Sequence, residues 1–328
     1  MPSTRATVRS ALQLALLLGV VLAAAGCSPP SILLTPVFNA RDLDEVRVEP
    51  GPRHAKIAVI GVEGLIVNAT TGGNPLQPGV NKIDLFKQEL DKAARDRAVR
   101  AVVLRVNSPG GTVTGSDTMY ALVRQFKQET GKPVVASVQE VAASGGYYVS
   151  LAADEIWSQP TAVVGSVGVI FTRIDVSQTL GLVGARVENI KSGRMKDMGS
   201  PLTPVTEDER QITQGMIDAY FARFVETVLR HRDLASADLP NATDGRVFTG
   251  EQALELKLID AVGTLDDAVA AARRLAGLSD ASVIIYRRSY EASGSYYARH
   301  GVQPSAWQVS LPEAVSPLPA GFYYIWRP

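Results

Sequence analysis

Cysteine is nearly missing from this chain: Cys27 stands alone among 328 residues, so no internal disulfide can staple the fold. Histidine is almost as scarce. His54, His231 and His300 are the whole set, and none lies in a segment shaped like a site, which leaves a Ser-His-Asp arrangement without an obvious base. His231 closes a charged helical stretch, where the C-terminal dipole favours a cation, and needs no further explanation. An excess of charge is also lacking. With 33 basic and 33 acidic residues there is no global field to attract nucleic acid, and that partner class is set aside. No His/Cys/Asp/Glu group has metal-ligand spacing, and no phosphate loop or dinucleotide motif occurs, so neither metal nor cofactor is expected.

What is present is apolar: 46% hydrophobic against 20% charged, enough for one large or two modest globular domains. The N-terminus stands apart. Arg5 and Arg9 precede the apolar stretch Ala11–Ala25, too short to span a bilayer comfortably and ending in small residues, as export signals do. Cys27 follows in the context Ala-Ala-Gly-Cys-Ser, which resembles a bacterial lipobox, and lipidation at Cys27 is therefore expected. Residues 1–27 are read as the signal and 28–54 as a tether, on the strength of Pro29, Pro30, Pro36, Pro50 and Pro52. A globular domain over 55–285 and an irregular aromatic tail over 286–328 complete the expected organisation.

Within the domain, strands and helices alternate. Residues 55–68 are β-branched, and 81–97 place Ile83, Phe86, Leu90 and Ala94 at helical spacing. Residues 99–106 read as a strand delivering Asn-Ser-Pro-Gly-Gly, followed by a helix capped by Ser116 or Asp117. Residues 134–138 read as a buried strand, with a helix following the Ser144-Gly145-Gly146 junction that no further Gly or Pro interrupts until Pro160. Residues 162–170 and 185–190 read as further strands. Thr206-Glu-Asp-Glu209 and Thr249-Gly-Glu-Gln252 are capping boxes opening two more helices. The alternation predicts an α/β domain with largely parallel pairing.

Three junctions carry possible chemistry. Ser144, in Ala-Ala-Ser-Gly-Gly, falls where a strand meets a helix, beside glycines that allow close backbone approach. A serine there is equally a turn or a helix cap. The Pro-Gly-Gly turn at 109–111 could present N–H groups to an oxyanion, although such turns are structurally ordinary. With no suitable histidine, the remaining candidate base is a lysine. Its amine must be neutral to accept a proton, which at an ordinary value near 10.4 requires burial. Lys196 stands out only mildly, since Asp197 can pair with it at the surface.

The ordered set NSPGG (107–111), AASGGYY (142–148), VVGSVGV (163–169), SGRMKD (192–197) and GRVFTGEQALELKLID (245–260) resembles the signal peptide peptidase A family over about residues 57–272. The resemblance implies a crotonase-like (Clp protease-like) α/β fold, a repeated ββα superhelix with largely parallel sheets, in the single-domain form. It implies a Ser/Lys dyad with Ser144 as nucleophile and Lys196 as base, and Ser166 as the hydroxyl that orients the lysine. Gly110 or Gly111, with Gly145, would form the oxyanion hole. It implies apolar signal-peptide remnants as substrate, a homo-oligomeric ring or dome with composite sites, and a place on the outer face of the inner membrane, held by the lipid at Cys27. An inactive crotonase-fold scaffold or other membrane-associated binding protein is the alternative. The Phe322–Trp326 segment could lie in the peptide groove by strand addition, or form an ordinary strand or membrane-interface aromatic patch.

Overall fold

The computed structural model describes residues 43–71, 79–288 and 321–326. Its centre is a twisted sheet built mostly from parallel strands. Strand β1 (Leu43–Glu49) lies at one edge, and β2 (Lys56–Glu63) lies inside. A two-residue hairpin, β3 (Thr70–Thr71) with β4 (Val80–Asn81), precedes helix α1 (Lys82–Arg95), whose N-terminus is capped by the Asn81 carboxamide. Then come β5 (Val99–Ser108), β6 (Gly110–Thr112), α2 (Val113–Thr130), β7 (Val134–Ala143) and the short α3 (Gly145–Ser150). Strands β8 (Glu155–Ser158), β9 (Val163–Gly165) and β10 (Ile170–Thr172) lead to α4 (Ser177–Leu182) and the long α5 (Glu207–His231). Past α6 (Leu239–Ala242) the chain forms β11 (Val247–Thr249), α7 (Gly250–Glu255), β12 (Ala261–Val262), α8 (Leu265–Leu275) and β13 (Ser282–Arg288), with β14 (Gly321–Ile325) last.

The main sheet runs β1-β13-β2-β5-β7-β8-β12, with β9 also on β7 and β11 on β9. Only the β1–β13 and β9–β11 pairs are antiparallel. Its strands are apolar on both faces because both faces are covered. Val102, Leu104 and Val106 of β5 meet α1 and α2, while Ala101 and Val103 meet Leu265, Ala268 and Val269 of α8. Each fully buried Val, Leu or Ile contributes about 1.5–3 kcal/mol. The ββα repeat is visible in β5-β6-α2. A long strand of the main sheet is followed by a short strand of a second sheet, then by a helix packed back on the first.

Several sequence expectations are corrected. Residues 43–49, read as tether, form β1 because Leu43–Glu49 find an antiparallel partner in β13. Helix α2 begins four residues before Asp117, capped by Thr112, whose hydroxyl accepts the Gly115 N–H; Ser116 lies inside the helix. The helix after Ser144 ends at Ser150, since Glu155–Ser158 pair with β7 and β12 instead, with the Asp154 and Asp260 carboxylates accepting the Val134 and Ile156 N–H groups. Residues 185–190 form no strand: they have no ladder partner among the described residues, and Ile190 is fully exposed. Both capping boxes form as read.

Candidate active site

Parallel sheets gather ligands at the carboxyl ends of their strands, and three of the sequence junctions converge there. Strand β5 ends in Ser108-Pro109-Gly110-Gly111, β7 in Ser144 and β9 in Ser166. Strands β7 and β9 are parallel neighbours in register Ala143↔Gly165, and the Ser144 N–H donates to the Gly165 carbonyl at 2.7 Å. The two serines thus leave adjacent strand ends side by side. Both turn with φ of +52°, and only Lys257 shares this among the described non-glycine residues. Such backbone costs on the order of 1–3 kcal/mol per residue and persists where the surroundings hold it.

Ser144 is 1% exposed, and its Oγ makes no capping bond to α3 and has no hydrogen-bond partner among the described residues. The helix-cap explanation therefore fails. A buried hydroxyl with its bonding capacity unspent is costly in a fold and calls for another account.

Two glycines meet at the residue that follows Ser144. Gly145 follows it directly, and a Cβ on Gly145 would lie 2.2 Å from Ser116 Oγ and 3.1 Å from Gly110 Cα, so only glycine fits. Gly110, at φ +102°, has its N–H donated to Ser108 Oγ at 3.1 Å and its carbonyl accepting from Ile66 N at 2.9 Å. Gly111, by contrast, is paired across to β14, opposite Tyr324. The Gly110 N–H thus points back at Ser108, whereas Gly111 faces β14. Ser108, whose Oγ also donates to the Gly64 carbonyl at 2.6 Å, props the turn from behind. Sequence reasoning missed Ser108 and Ser116 as supports. Their signal was only adjacency to the glycine motif.

Lys196 is not brought to Ser144 in the single chain. It lies exposed in an irregular turn, with its backbone N–H on the Gly193 carbonyl at 3.0 Å. Asp197, which the sequence allowed as its surface partner, pairs with Lys191 and Asn189, and these bonds hold its carboxyl below the usual range. Cys27 lies outside the described residues. No group of three or more potential metal ligands occurs among the described residues.

Behind the glycines stands an aromatic cluster. The rings of Tyr148, Phe224 and Tyr324 are mutually packed at centroid distances of 4.7–5.3 Å. The Tyr148 hydroxyl donates to Asp117 Oδ1 at 2.8 Å; burial first, then this bond, pushes it up to about 12, so it is a neutral donor at any working pH. Strand β14 lies between β6 and β10, antiparallel to both, so the apolar C-terminal segment is part of the site's wall.

A strained serine with an unbonded hydroxyl beside a glycine pair at the strand ends of an α/β sheet is a candidate nucleophile. Comparison with known proteins places it further. Residues 126–279 match the model of peptidase family S49. A protein of Enterococcus faecium named as signal peptide peptidase SppA is 31% identical over 83% of this chain and 78% of its own length. A protein of Methanocaldococcus jannaschii named as a protease is 37% identical over 65% of this chain and 69% of its own. Protease 4 of Salmonella typhi is 33% identical, with the match spanning about a third of that longer protein (36%). Among solved structures, the 1510-N membrane-bound stomatin-specific protease is similar at a TM-score of 0.41 and 18% identity, over 66% of this chain and 84% of that one. The chain belongs to the signal peptide peptidase A group of peptidase family S49.

Proposed function

We propose that this chain is a membrane-tethered serine endopeptidase that degrades cleaved signal peptides and similar apolar peptides, with Ser144 as nucleophile and Lys196 as general base. The observation that carries the reading is the buried, partnerless Ser144 hydroxyl at a strained turn between Gly110-Gly111 and Gly145. In this mechanism the neutral Lys196 amine takes the Ser144 Oγ proton as the oxygen attacks the peptide carbonyl. The Gly145 and Gly111 N–H groups receive the developing oxyanion, worth about 10²–10³-fold per donor. Collapse breaks the C–N bond, Lys196 returns the proton to the leaving amine, and water then hydrolyses the acyl ester by the same route. Ser166, beside Ser144 at the neighbouring strand end, is the hydroxyl that would hold the amine.

The working form on this reading is a homo-oligomer. Leu182, Val183 and Ile190 are 88%, 76% and 100% exposed, in the same stretch that carries Lys196. So much bare apolar surface has the composition of an interface. Covering it with a second copy supplies the desolvation that a lysine base needs. Lipidation at Cys27 would hold the enzyme at the outer face of the inner membrane, where its substrates remain. No helix among the described residues is long and apolar enough to cross a membrane. A Cys27→Ala variant that stays in the membrane fraction would count against the anchor.

The test is hydrolysis of an apolar signal-peptide fragment by wild type, Ser144→Ala and Lys196→Ala across pH. Both variants should be folded and at least about 10³-fold slower than wild type. Near-normal activity of Lys196→Ala would overturn the base assignment. A wild type that cleaves nothing would favour the scaffold alternative, to which the exposure of Lys196 in the single chain gives its support.

A further inference from the structure

We infer that Arg173 is a positioning residue for the proposed base: its guanidinium fastens the arm that carries Lys196 to the run of chain that carries Ser166, and it acts on the reaction through Lys196. The inference rests on the peptidase reading above and adds the group that places the lysine.

Lys196 lies on a long arm with little burial of its own. Residues 181–194 are exposed throughout, and so is Lys196. A base on a loose arm spends little time in reach of a hydroxyl, and a misplacement of about 1 Å can cost roughly 10²-fold in rate. The arm is nevertheless stiff where the lysine sits. Three turns follow one another: the Lys196 N–H donates to the Gly193 carbonyl at 3.0 Å, the Met198 N–H to the Met195 carbonyl at 3.1 Å, and the Ser200 N–H to the Asp197 carbonyl at 3.0 Å. Side chains lace the same stretch. The Asp197 carboxylate accepts from Lys191 and from Asn189, and Arg194 pairs with Asp208 in the first turn of α5. Lys196 therefore moves with whatever holds Ser200.

The side chain that holds Ser200 is Arg173, which directly follows β10 and is half-buried. Its Nε donates to the Ser200 carbonyl at 3.0 Å, and its Nη2 donates to the carbonyls of both Ser200 and Thr203. Between these two acceptors, the Pro201 carbonyl takes the Val176 N–H at 2.8 Å, so the arm is tied to the β10–α4 junction by side chain and backbone together. Only a planar, forked donor spans two carbonyls in this way; a lysine ammonium brings the charge without the geometry. The anchor point matters as much as the grip. Ser166 leaves β9 beside Ser144, β10 follows it, and Arg173 closes the run. One short length of chain thus begins at the hydroxyl assigned to hold the amine and ends at the guanidinium that holds the arm.

The test is a double-variant cycle on the full chain in detergent, read by hydrolysis of an apolar signal-peptide fragment, with an activated aryl ester as a second substrate where the peptide rate is too low to measure. Arg173→Ala should lower kcat about 10²-fold with KM little changed, and Arg173→Lys should recover part of that loss. In a Lys196→Ala background the same Arg173→Ala change should cost no more than about twofold, because a group that acts through the lysine has nothing left to place. Equal losses in both backgrounds, the mark of a merely structural role, overturn the inference. So does an unchanged kcat in Arg173→Ala while Lys196→Ala is inactive, and either result leaves the peptidase reading standing. Near-normal activity of Lys196→Ala overturns the base assignment and this inference with it. If Arg173→Ala fails to fold, Arg173→Lys carries both comparisons in its place.

Discussion

At the scale of single residues, the site is built from groups that could not be exchanged for anything larger. A Cβ at Gly145 would sit 2.2 Å from Ser116 Oγ, far inside contact distance, and the hydroxyl cannot simply rotate away without giving up its 3.0 Å bond to the Thr112 carbonyl. Gly145→Ala should therefore displace the N–H that follows Ser144, the proposed nucleophile, and lower kcat by about 10²-fold. Adding Ser116→Ala removes the obstructing oxygen and should restore much of the loss. Peptide hydrolysis by the single and double variants checks this, and no recovery in the double variant would mean that the backbone, not the oxygen, is what glycine spares. The sequence made these glycines conspicuous as a pattern. It could not say that Gly110 has its N–H tied to Ser108, nor that Ser144 turns at positive φ, because both follow from how β5, β7 and β9 end side by side.

At the scale of elements, helix α5 is held on α2 and α3 by aromatic contacts. The Tyr120 hydroxyl and His231 Nε2 are 2.7 Å apart, and Phe224 packs edge-on to Tyr148. His231, which a helix C-terminus would ordinarily favour as a cation, is half-buried. Burial first, then Lys127, Arg124, Arg230 and Arg232, lower its pKa, so the ring is neutral at pH 7 and shares a hydrogen bond with the tyrosine hydroxyl. Its folded pKa lies below the unfolded value near 6.5. Below about pH 6.5 the unfolded chain thus takes up a proton that the native chain refuses, and stability falls as pH drops through that window. Denaturant unfolding at pH 7.5 and 5.5 should show this acid-side loss in wild type and a smaller one in His231→Gln. Equal losses in both would remove His231 as the cause. Helix α5 itself was legible from its capping box. Its anchoring was not, since Tyr120 and His231 are far apart in sequence. The strand expected at 185–190 failed for the complementary reason: alternation in a sequence makes a strand only where an edge awaits it.

At the scale of the whole molecule, a closed α/β core contrasts with an apolar flank. If that flank is the contact between copies, Val183→Asp with Ile190→Asp should shift the sedimentation of detergent-solubilised protein towards the monomer and abolish peptidase activity, while Ser144→Ala leaves assembly intact. Wild type sedimenting as a monomer would remove the oligomer from the account. The parallel sheet and its glycine-rich strand ends were readable from residue order. The position of β14 was not, because a pairing between residues 110 and 325 has no local signature. Finally, the backbone at Ser144 sets two pressures against each other. Glycine would adopt its φ and ψ freely and remove an unbonded buried hydroxyl, so lineages or libraries screened for thermal robustness alone should drift to glycine there and emerge sturdier but inert. Family members with glycine at this position would then be recognisable as former enzymes retained for their shape, and the residue a marker separating working copies from relics in a genome.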